Sequence, residues 1–431
     1  MWSKYTYQFK NGKKYYLYNS LSNSLAELDA KTYDMIYETC QHGLFVSDKE
    51  IENQLRKIKV IVDNDKDEIY KIKYLSLLKR NDDRRLILTI NPTLACNFAC
   101  PYCFEDSHSK KYMNEDVEDR IIQFIKSRPQ LQVVDVTWFG GEPLLAFDRI
   151  VSLTKKIQSL GIRYTAGMIT NGYLLTEKVI LQLQTLSISS MQITLDGLAP
   201  LHDSRRCLKS GKPTFSRILQ NIDILQKKCP EISIKVRMNV DKTNVQDFLK
   251  LYKMFEDKHY SNLCVKLAFV KDITGCKGCP SFFDTDQQAE IVKDLLVHHG
   301  LDFSMVFPSS DRYECAIRNK NALVIGPEGE LYKCWNDVGN KDKVFGSIDG
   351  RITNEPLLLR YLVAADPFED PKCQKCFLLP VCGGGCPYSR IQNEYEGTNI
   401  DTCLYMKKHL KEFLIAHADY KDKFKQKKII D

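Results

Sequence analysis

The spacing of the cysteines constrains this chain more than any other feature of its sequence. Sixteen cysteines occur in 431 residues, and nine of them lie between residues 271 and 405. The first residues lack the apolar core of a secretion signal, and no apolar run reaches the roughly 18 residues that span a bilayer. We therefore expect a cytoplasmic protein without a membrane partner, whose clustered thiols stay reduced and bind metal.

The rest of the composition is that of a folded protein. Hydrophobic residues make up 43% of the chain, which permits a sizeable core and excludes global disorder. The net charge is +7, from 62 basic and 55 acidic residues that are spread along the chain. Because this positive charge is mild and dispersed, we expect no nucleic-acid partner.

Composition and periodicity divide the chain into four predicted segments. An N-terminal unit, a strand–helix segment, a cysteine-rich segment and a basic C-terminal helix occupy residues 1–85, 86–270, 271–405 and 406–431. In the second segment, short apolar strands alternate with amphipathic helices, which predicts an α/β fold with a parallel sheet or partial barrel. Functional residues are then expected at the carboxyl ends of the strands. The predicted strands are 86–90, 133–138, 167–170, 191–195, 232–240 and 264–269.

The N-terminal segment has the pattern of a hairpin followed by helices. Aromatic, alternating runs flank Asn11-Gly12, a dipeptide that favours a two-residue hairpin turn. Helices are predicted to begin near Asp29 and at a Ser47-x-x-Glu50 capping box.

The first cysteine group directly follows the first strand of the second segment. Cys96, Cys100 and Cys103 have the spacing C-x3-C-x2-C, so three thiolates belong to one loop of eight residues. Such a loop can bind three irons of a [4Fe–4S] cube and leave the fourth iron open to a substrate or cofactor. A zinc ion is one alternative, but structural zinc needs four closed ligands and no fourth Cys or His is adjacent. Three buried structural cysteines are the other.

This spacing, with Tyr102 before the last cysteine, resembles the signature of the radical S-adenosylmethionine (SAM) enzymes. The resemblance implies a TIM-like partial (β/α)6 barrel, with Tyr102 beside the adenine. A glycine loop with a Glu would hold the methionine amine, and further strand ends would face the ribose and the carboxylate. The residues so implied are Gly140, Gly141, Glu142 and Pro143 of the loop, and Thr170, Asn171, Asp196, Arg206 (in His202-Asp203-x-x-Arg206) and Arg237 of the strand ends. A turn or a strand-end salt bridge is the alternative for Asp196, Arg206 and Arg237.

In this family, an electron from the reduced cluster cleaves SAM to a 5′-deoxyadenosyl radical, which takes a hydrogen from an unactivated carbon. The resemblance therefore implies SAM as cofactor, and a flavodoxin- or ferredoxin-type protein as electron donor.

Seven later cysteines resemble the SPASM extension, which is found on radical enzymes that modify peptides and proteins. The resemblance implies two auxiliary [4Fe–4S] clusters and three clusters in total; a zinc ribbon is the alternative. One auxiliary cluster would be held by Cys315, Cys334 and Cys386, and the other by Cys373, Cys376, Cys382 and Cys403. The first set has three ligands. Either Cys276 or Cys279 supplies a fourth, or the site is open to a substrate thiolate.

The residue after Cys334 departs from the pattern of one subgroup. Sulfatase-maturing relatives place an Asp base there, whereas this chain has Trp335, with Asp337 two residues further on. No catalytic side chain is assigned from the sequence, and Asp337 is a candidate. The departure argues against formylglycine formation.

The N-terminal hairpin and helices resemble the winged-helix domain with which ribosomal-peptide (RiPP) maturases bind a leader peptide. The alternatives are an accessory or a DNA-binding winged helix. We therefore expect a RiPP maturase whose partner is a precursor peptide with a leader, and whose product is a thioether or carbon–carbon crosslink. The enzymatic alternative is a sulfatase-type maturase that forms formylglycine from Cys or Ser. From other classes, an iron–sulfur electron carrier or a zinc-stabilised binding protein would share the cysteines.

Overall fold

A computed structural model describes residues 1–103, 109–270, 282–299, 301 and 315–430, with side chains described as far as residue 420. The chain forms two compact units, and their boundaries differ from the four predicted segments. The first unit comprises Met1–Arg80, Asp284–Arg318 and Ala365–Asp431, and the second comprises Asn81–Phe283 and Asn319–Ala364. The cysteine-rich segment therefore contributes residues to both units.

The first unit begins with an antiparallel sheet of three strands: β1 Thr6–Asn11, β2 Lys14–Asn19 and β3 Ser24–Leu28. The predicted hairpin is confirmed, because Asn11 pairs with Lys14 across the turn. Gly12 has a φ of +57°, in the left-handed region that this tight turn requires. The third strand was not predicted.

Three helices follow the sheet: α1 Ala30–Gln41, α2 Lys49–Lys57 and α3 Asp67–Arg80. Helix α1 begins next to Asp29, as predicted, and Asp29 caps it by accepting the Thr32 N–H at 2.9 Å. The predicted Ser47 cap of α2 is wrong. Asp48 caps that helix instead, and its carboxylate accepts the N–H groups of Glu50 and Ile51. The negative charge of Asp48 also complements the positive end of the helix dipole.

Strand β2 has a different neighbour on each face, as the two-residue repeat of a strand requires. Leu17 packs with Ile36 and Leu55 of the helices. Tyr16 and Tyr18 face the other way and pack on the C-terminal helix. The later helices of this unit are α10 Thr285–Val297, α12 Pro371–Gln374, α13 Leu379–Cys382, α14 Pro387–Tyr395 and α15 Leu410–Ile430, numbered in chain order.

The second unit contains a nine-stranded, mostly parallel sheet, which confirms the predicted α/β class. Six neighbouring parallel strands run from β4 to the edge strand β9 and match the six predicted strands: β4 Arg85–Ile90, β5 Val133–Trp138, β6 Arg163–Thr170, β7 Ile188–Thr194, β8 Ser233–Val240 and β9 Leu263–Phe269. The helices of this unit are α4 Glu115–Lys126, α5 Phe147–Gln158, α6 Glu177–Ile180, α7 Ala199–Arg205, α8 Phe215–Lys228, α9 Phe248–Glu256 and α11 Glu355–Leu359.

Three short strands that the sequence did not predict extend the sheet beyond β4. They are β10 Ala322–Ile325, which is parallel to β4, and the antiparallel strands β11 Glu330–Tyr332 and β12 Gly346–Ser347. Among the described residues, no helix has both the length and the apolarity to cross a membrane.

Candidate active site

The loop that carries the first cysteine group is held by backbone hydrogen bonds to a segment more than one hundred residues away in sequence. The Ala99 N–H donates to the Cys207 carbonyl, and the Lys209 N–H donates to the Asn97 carbonyl, both at 3.0 Å. Phe98, between them, is fully buried. The loop is therefore fixed by two-point backbone pairing, which no feature of the sequence had indicated.

Gly140 and Gly141 allow the loop after β5 to lie directly against the residues that precede Cys96. The Gly141 N–H donates to the Thr93 carbonyl at 3.2 Å, and the Glu142 N–H donates to the Ala95 carbonyl at 2.9 Å. A Cβ on Gly141 would overlap the Ala95 carbonyl oxygen. Gly140 has a φ of +109°, a conformation that favours glycine. The pair is thus needed for close backbone approach as well as for a turn.

The Glu142 carboxylate joins the ends of β5 and β6. It is fully buried and accepts the Thr170 hydroxyl at 2.7 Å and the Asn171 N–H at 2.8 Å. Burial raises the pKa of Glu142, and these two donors oppose that shift. The Asn171 side chain in turn donates to Asn97 Oδ1 at 2.8 Å, so β6 is tied to the cysteine loop. The next residue, Pro143, is buried at the start of a 3-10 turn.

Tyr102, Asp196 and Arg206, which the sequence placed at one site, are in direct contact. The Tyr102 hydroxyl donates to the Asp196 carboxylate and accepts from Arg206 Nη1, the latter at 2.8 Å. Arg205, which the sequence analysis missed, also donates from Nε to Asp196 at 3.3 Å. Asp196 therefore forms a buried salt bridge at the end of β7, which was one of the alternatives for this residue, and its role toward a cofactor stays a prediction.

A buried histidine joins the backbone of Asp196 to that of Arg206. The Asp196 N–H donates to His202 Nδ1 at 3.2 Å, so the ring proton is on Nε2, which contacts Thr214 Oγ1 at 3.1 Å. The Thr214 hydroxyl donates to the Arg206 carbonyl at 2.7 Å. Burial, and secondarily Arg206, lower the pKa of His202 to about 2, so the ring is neutral.

Polar atoms without partners lie at the same site. Among the described residues, Asp196 Oδ1 and Arg206 Nε are buried and have no hydrogen-bond partner. Arg237 is close enough to Tyr102 and Asp196 for both to raise its pKa, although burial lowers it overall. Its Nε donates to Asn239 Oδ1 at 2.9 Å. A buried acceptor and a buried donor without partners fit a polar ligand that supplies both kinds of group.

The thiols of the first loop lie in the field of this polar group. Partial burial raises the pKa of Cys96 to about 11. Burial also raises the pKa of Cys100, where Arg206 acts in the opposite direction. Among the described residues, no three His, Cys, Asp or Glu side chains are grouped to hold a single metal ion. In a [4Fe–4S] cube each thiolate binds a different iron, so three thiols on one fixed loop can bind three irons and leave the fourth without a protein ligand.

The second cysteine array is divided between the two units. Cys373, Cys376, Cys382, Cys386, Cys403 and Cys315 belong to the first unit, and Cys334 belongs to the second. Burial by itself would lower the pKa of Lys407, but the thiols of Cys376, Cys403 and Cys373 raise it, and Lys407 Nζ lies 3.6 Å from Cys403 Sγ. The ligand set of Cys315, Cys334 and Cys386 stays a prediction. Cys276 and Cys279 lie outside the described residues.

Beside Cys334, an aromatic residue is exposed and an acidic one is buried. Trp335 is 45% exposed, and its ring centroid lies 5.9 Å from that of Phe139, the residue before Gly140. Asp337 is buried and accepts the Tyr361 hydroxyl at 2.7 Å. Asp337 thus stabilises the local fold in this structure, and its role as a base stays a prediction.

Comparison with known proteins identifies the domain that contains this site. A family model described as the Radical SAM superfamily matches residues 90–255. A serine-type anaerobic sulfatase-maturating enzyme from Bacteroides thetaiotaomicron is 30% identical over 192 residues, which cover 41% of this chain and 45% of that protein. The chain thus spans less than half the length of the first curated relatives that it matches.

Two solved structures share the fold over most of the chain. The structure of anSMEcpe with bound AdoMet and Cp18Cys peptide has a TM-score of 0.58 at 20% identity, and covers 77% of this chain and 96% of its own. The structure of Streptococcus suis SuiB bound to precursor peptide SuiA has a TM-score of 0.52 at 16% identity, with 90% and 96% covered. The chain contains a Radical SAM domain at residues 90–255, which includes the loop at residues 96–103.

Proposed function

We propose that this protein is a radical SAM peptide maturase that takes a hydrogen from a ribosomally made precursor peptide and closes a thioether or carbon–carbon crosslink. One observation carries the proposal. The cysteine loop, the glycine loop and the Tyr102–Asp196–Arg206 group converge at the carboxyl ends of parallel strands, with a buried acceptor and donor still without partners. That is the place and the chemistry of a cofactor site.

When bound, SAM and the cluster would supply a carbon-centred radical, chemistry that no side chain provides. Cys96, Cys100 and Cys103 would hold the cluster. Asp196 would accept a ribose hydroxyl, and Arg237 would bind the SAM carboxylate. The contacts through His202 and Thr214 hold Asp196 and Arg206 in fixed positions relative to each other. The residues around the site thus orient the cofactor and exclude water from it.

A peptide substrate is supported by the comparisons and by the N-terminal sheet. Relatives are named as sulfatase-maturating enzymes, and the two solved neighbours were determined with peptides bound. The sheet β1–β3 belongs to the same compact unit as Cys373, Cys376, Cys382 and Cys403 of the second array. Ser20 Oγ donates to the carbonyl of Phe377, the residue after Cys376, at 2.5 Å. An edge strand of this sheet would pair with the leader by strand addition.

The second array would hold the cluster that accepts the electron released when the crosslink closes. By resemblance, Cys373, Cys376, Cys382 and Cys403 form one site. Cys315, Cys334 and Cys386 form another, which takes either a fourth ligand or the substrate thiolate. A flavodoxin- or ferredoxin-type protein would deliver the electron that starts turnover.

Formylglycine formation, by a sulfatase-type maturase, is the second candidate, because relatives are named as anaerobic sulfatase-maturating enzymes. Trp335 argues against it. The exposed side chain next to Cys334 has no proton-accepting atom, and the nearby carboxylate of Asp337 is buried against Tyr361. We therefore place crosslinking first.

Mass spectrometry of a co-expressed peptide tests this proposal. The candidate is a short open reading frame beside the gene, with a leader and a Cys-containing core. A crosslink removes two hydrogens and leaves the sequence resistant to fragmentation between the joined residues. Replacement of a Cys or Ser by formylglycine would establish the alternative. An unmodified mass with inverted stereochemistry would show epimerisation and reject both.

A further inference from the structure

One arginine contacts a thiol of the second array and also two chain segments that carry cysteines of this array. Arg390, on α14, donates from Nη2 to Cys373 Sγ at 2.7 Å and from Nη1 to Asp370 at 2.8 Å. Its Nε donates to the Gly384 carbonyl at 2.5 Å. Asp370 caps α12, the helix that contains Cys373. A single guanidinium therefore fixes the distance between the Cys373 helix and the glycine loop.

That glycine loop connects Cys382 to Cys386 and is folded as only glycine allows. Gly383, Gly384 and Gly385 all have positive φ. A Cβ on Gly385 would overlap the carbonyl of Thr402, the residue before Cys403. The loop thereby brings the chain at Cys403 close to the other cysteines of the array, and Arg390 fixes the loop from the opposite side.

A second cation lies beside the array. Lys407 Nζ contacts Cys403 Sγ at 3.6 Å. Positive groups that donate hydrogen bonds to cluster sulfurs stabilise the electron-rich, reduced state and so raise the reduction potential. Two such groups contact two different thiols of one array, and the neighbouring Lys375 is exposed to solvent.

We propose that Arg390 and Lys407 set the reduction potential of the iron–sulfur cluster held by Cys373, Cys376, Cys382 and Cys403, with Arg390 also positioning two of its ligand segments. The inference rests on the proposed function, which assigns a cluster to this array. It adds the residues that make this cluster a good electron acceptor, so that it takes the electron released when the crosslink closes.

The test is a redox titration of the anaerobically reconstituted full-length protein, monitored by electron paramagnetic resonance, with iron counted for each variant. Addition of SAM identifies the signal of the cluster at residues 96–103, and the remaining signals belong to the second array. We expect Arg390→Gln to make the reduction potential of one remaining signal more negative by at least about 59 mV. For one electron, this corresponds to a tenfold change in the equilibrium constant for reduction. Lys407→Gln shifts the same signal in the same direction.

Matched variants separate hydrogen bonding from charge and from folding. Lys375→Gln removes a nearby charge without touching sulfur, and leaves the potential unchanged. Arg390→Lys keeps the charge but loses the three-way contact, and gives an intermediate shift. If Arg390→Gln loses iron, the reduction potentials of Arg390→Lys and Lys407→Gln test the proposal instead. Unchanged potentials in fully loaded variants overturn this inference alone. About four irons in the wild-type protein, instead of about twelve, would reject the proposed auxiliary clusters themselves.

Discussion

Arg206 Nη1 donates a hydrogen bond to the Tyr102 hydroxyl over 2.8 Å, although the two residues are 104 positions apart in sequence. This bond joins the cysteine loop to the segment after β7. Because the same hydroxyl donates to Asp196, one tyrosine bridges an arginine and a carboxylate. The site is therefore held together by contacts among its own side chains.

Replacing Tyr102 with Phe tests that organisation. The variant leaves buried groups of Asp196 and Arg206 without this hydrogen-bond partner, which lowers the free energy of unfolding by about 1–3 kcal/mol. We expect binding of SAM to weaken roughly tenfold, which corresponds to about 1.4 kcal/mol, in equilibrium dialysis of the anaerobically reconstituted protein. Tyr112→Phe, at a residue that is 48% exposed, is the control and should bind like wild type. Equal affinity of the Tyr102 variant would show that the hydroxyl does not organise the site.

The close approach of the glycine loop predicts a specific intolerance at Gly141. Gly141→Ala would force its Cβ against the carbonyls of Leu94 and Ala95 and displace the chain just before Cys96. We expect the purified variant to hold about four fewer irons per chain than wild type. Gly211→Ala is a stringent control, because Gly211 has a φ of +77° but open space around it. Full iron content in Gly141→Ala would mean that the loop relaxes freely.

The neutral His202 predicts a dependence of stability on pH. Its pKa is lowered to about 2 by burial, against about 6.5 in an unfolded chain, so below pH 6.5 only the unfolded state takes up the proton. The contribution of the neutral His202 ring to the free energy of unfolding is present above pH 6.5 and falls by about 2 kcal/mol by pH 5. Calorimetry should show a smaller drop in the unfolding midpoint of His202→Gln between pH 7 and pH 5.

The matched control for this effect is His42→Gln, since the His42 ring is 66% exposed and pairs with Glu38 at the protein surface. That variant should keep the pH slope of wild type. A slope in His202→Gln as steep as in wild type would show that other groups cause the acid destabilisation.

Removal of the cysteine loop's thiols predicts a loss of both metal and chemistry. Cys96→Ala, Cys100→Ala and Cys103→Ala together should lower the iron content by about four per chain and abolish cleavage of SAM. Cys264→Ala, on β9, is the control and should retain both. Cys373→Ala with Cys376→Ala should retain some cleavage but yield no modified peptide. Normal product from that double variant would remove the second array from the reaction.

The sequence predicted the centre of the fold well because local patterns determine it. Each of the six strands β4–β9 is a short apolar run, and β5 was predicted with its observed bounds, Val133–Trp138. The strands β10–β12 were missed because they are two to four residues long and have no repeat of their own. The cap of α2 was assigned one residue too early, since Ser47 and Asp48 are both good cap residues and only the folded chain selects between them.

The site was predicted as a set of residues, but the sequence did not show how they are connected. Spacing and resemblance gave Tyr102, Asp196 and Arg206. The contribution of Arg205, the backbone pairing at Cys207 and the contact of Arg390 with Cys373 depend on tertiary approach, which leaves no periodic signal. The HD-x-x-R pattern that includes His202 was the one available hint of the histidine's role.

Electron paramagnetic resonance of the anaerobically reconstituted, reduced protein, recorded before and after addition of SAM, tests the central claim most directly. We predict that SAM changes the spectrum of the cluster held by Cys96, Cys100 and Cys103, and that methionine and 5′-deoxyadenosine accumulate. A spectrum that SAM leaves unchanged, with no cleavage products, would contradict the assignment of this site.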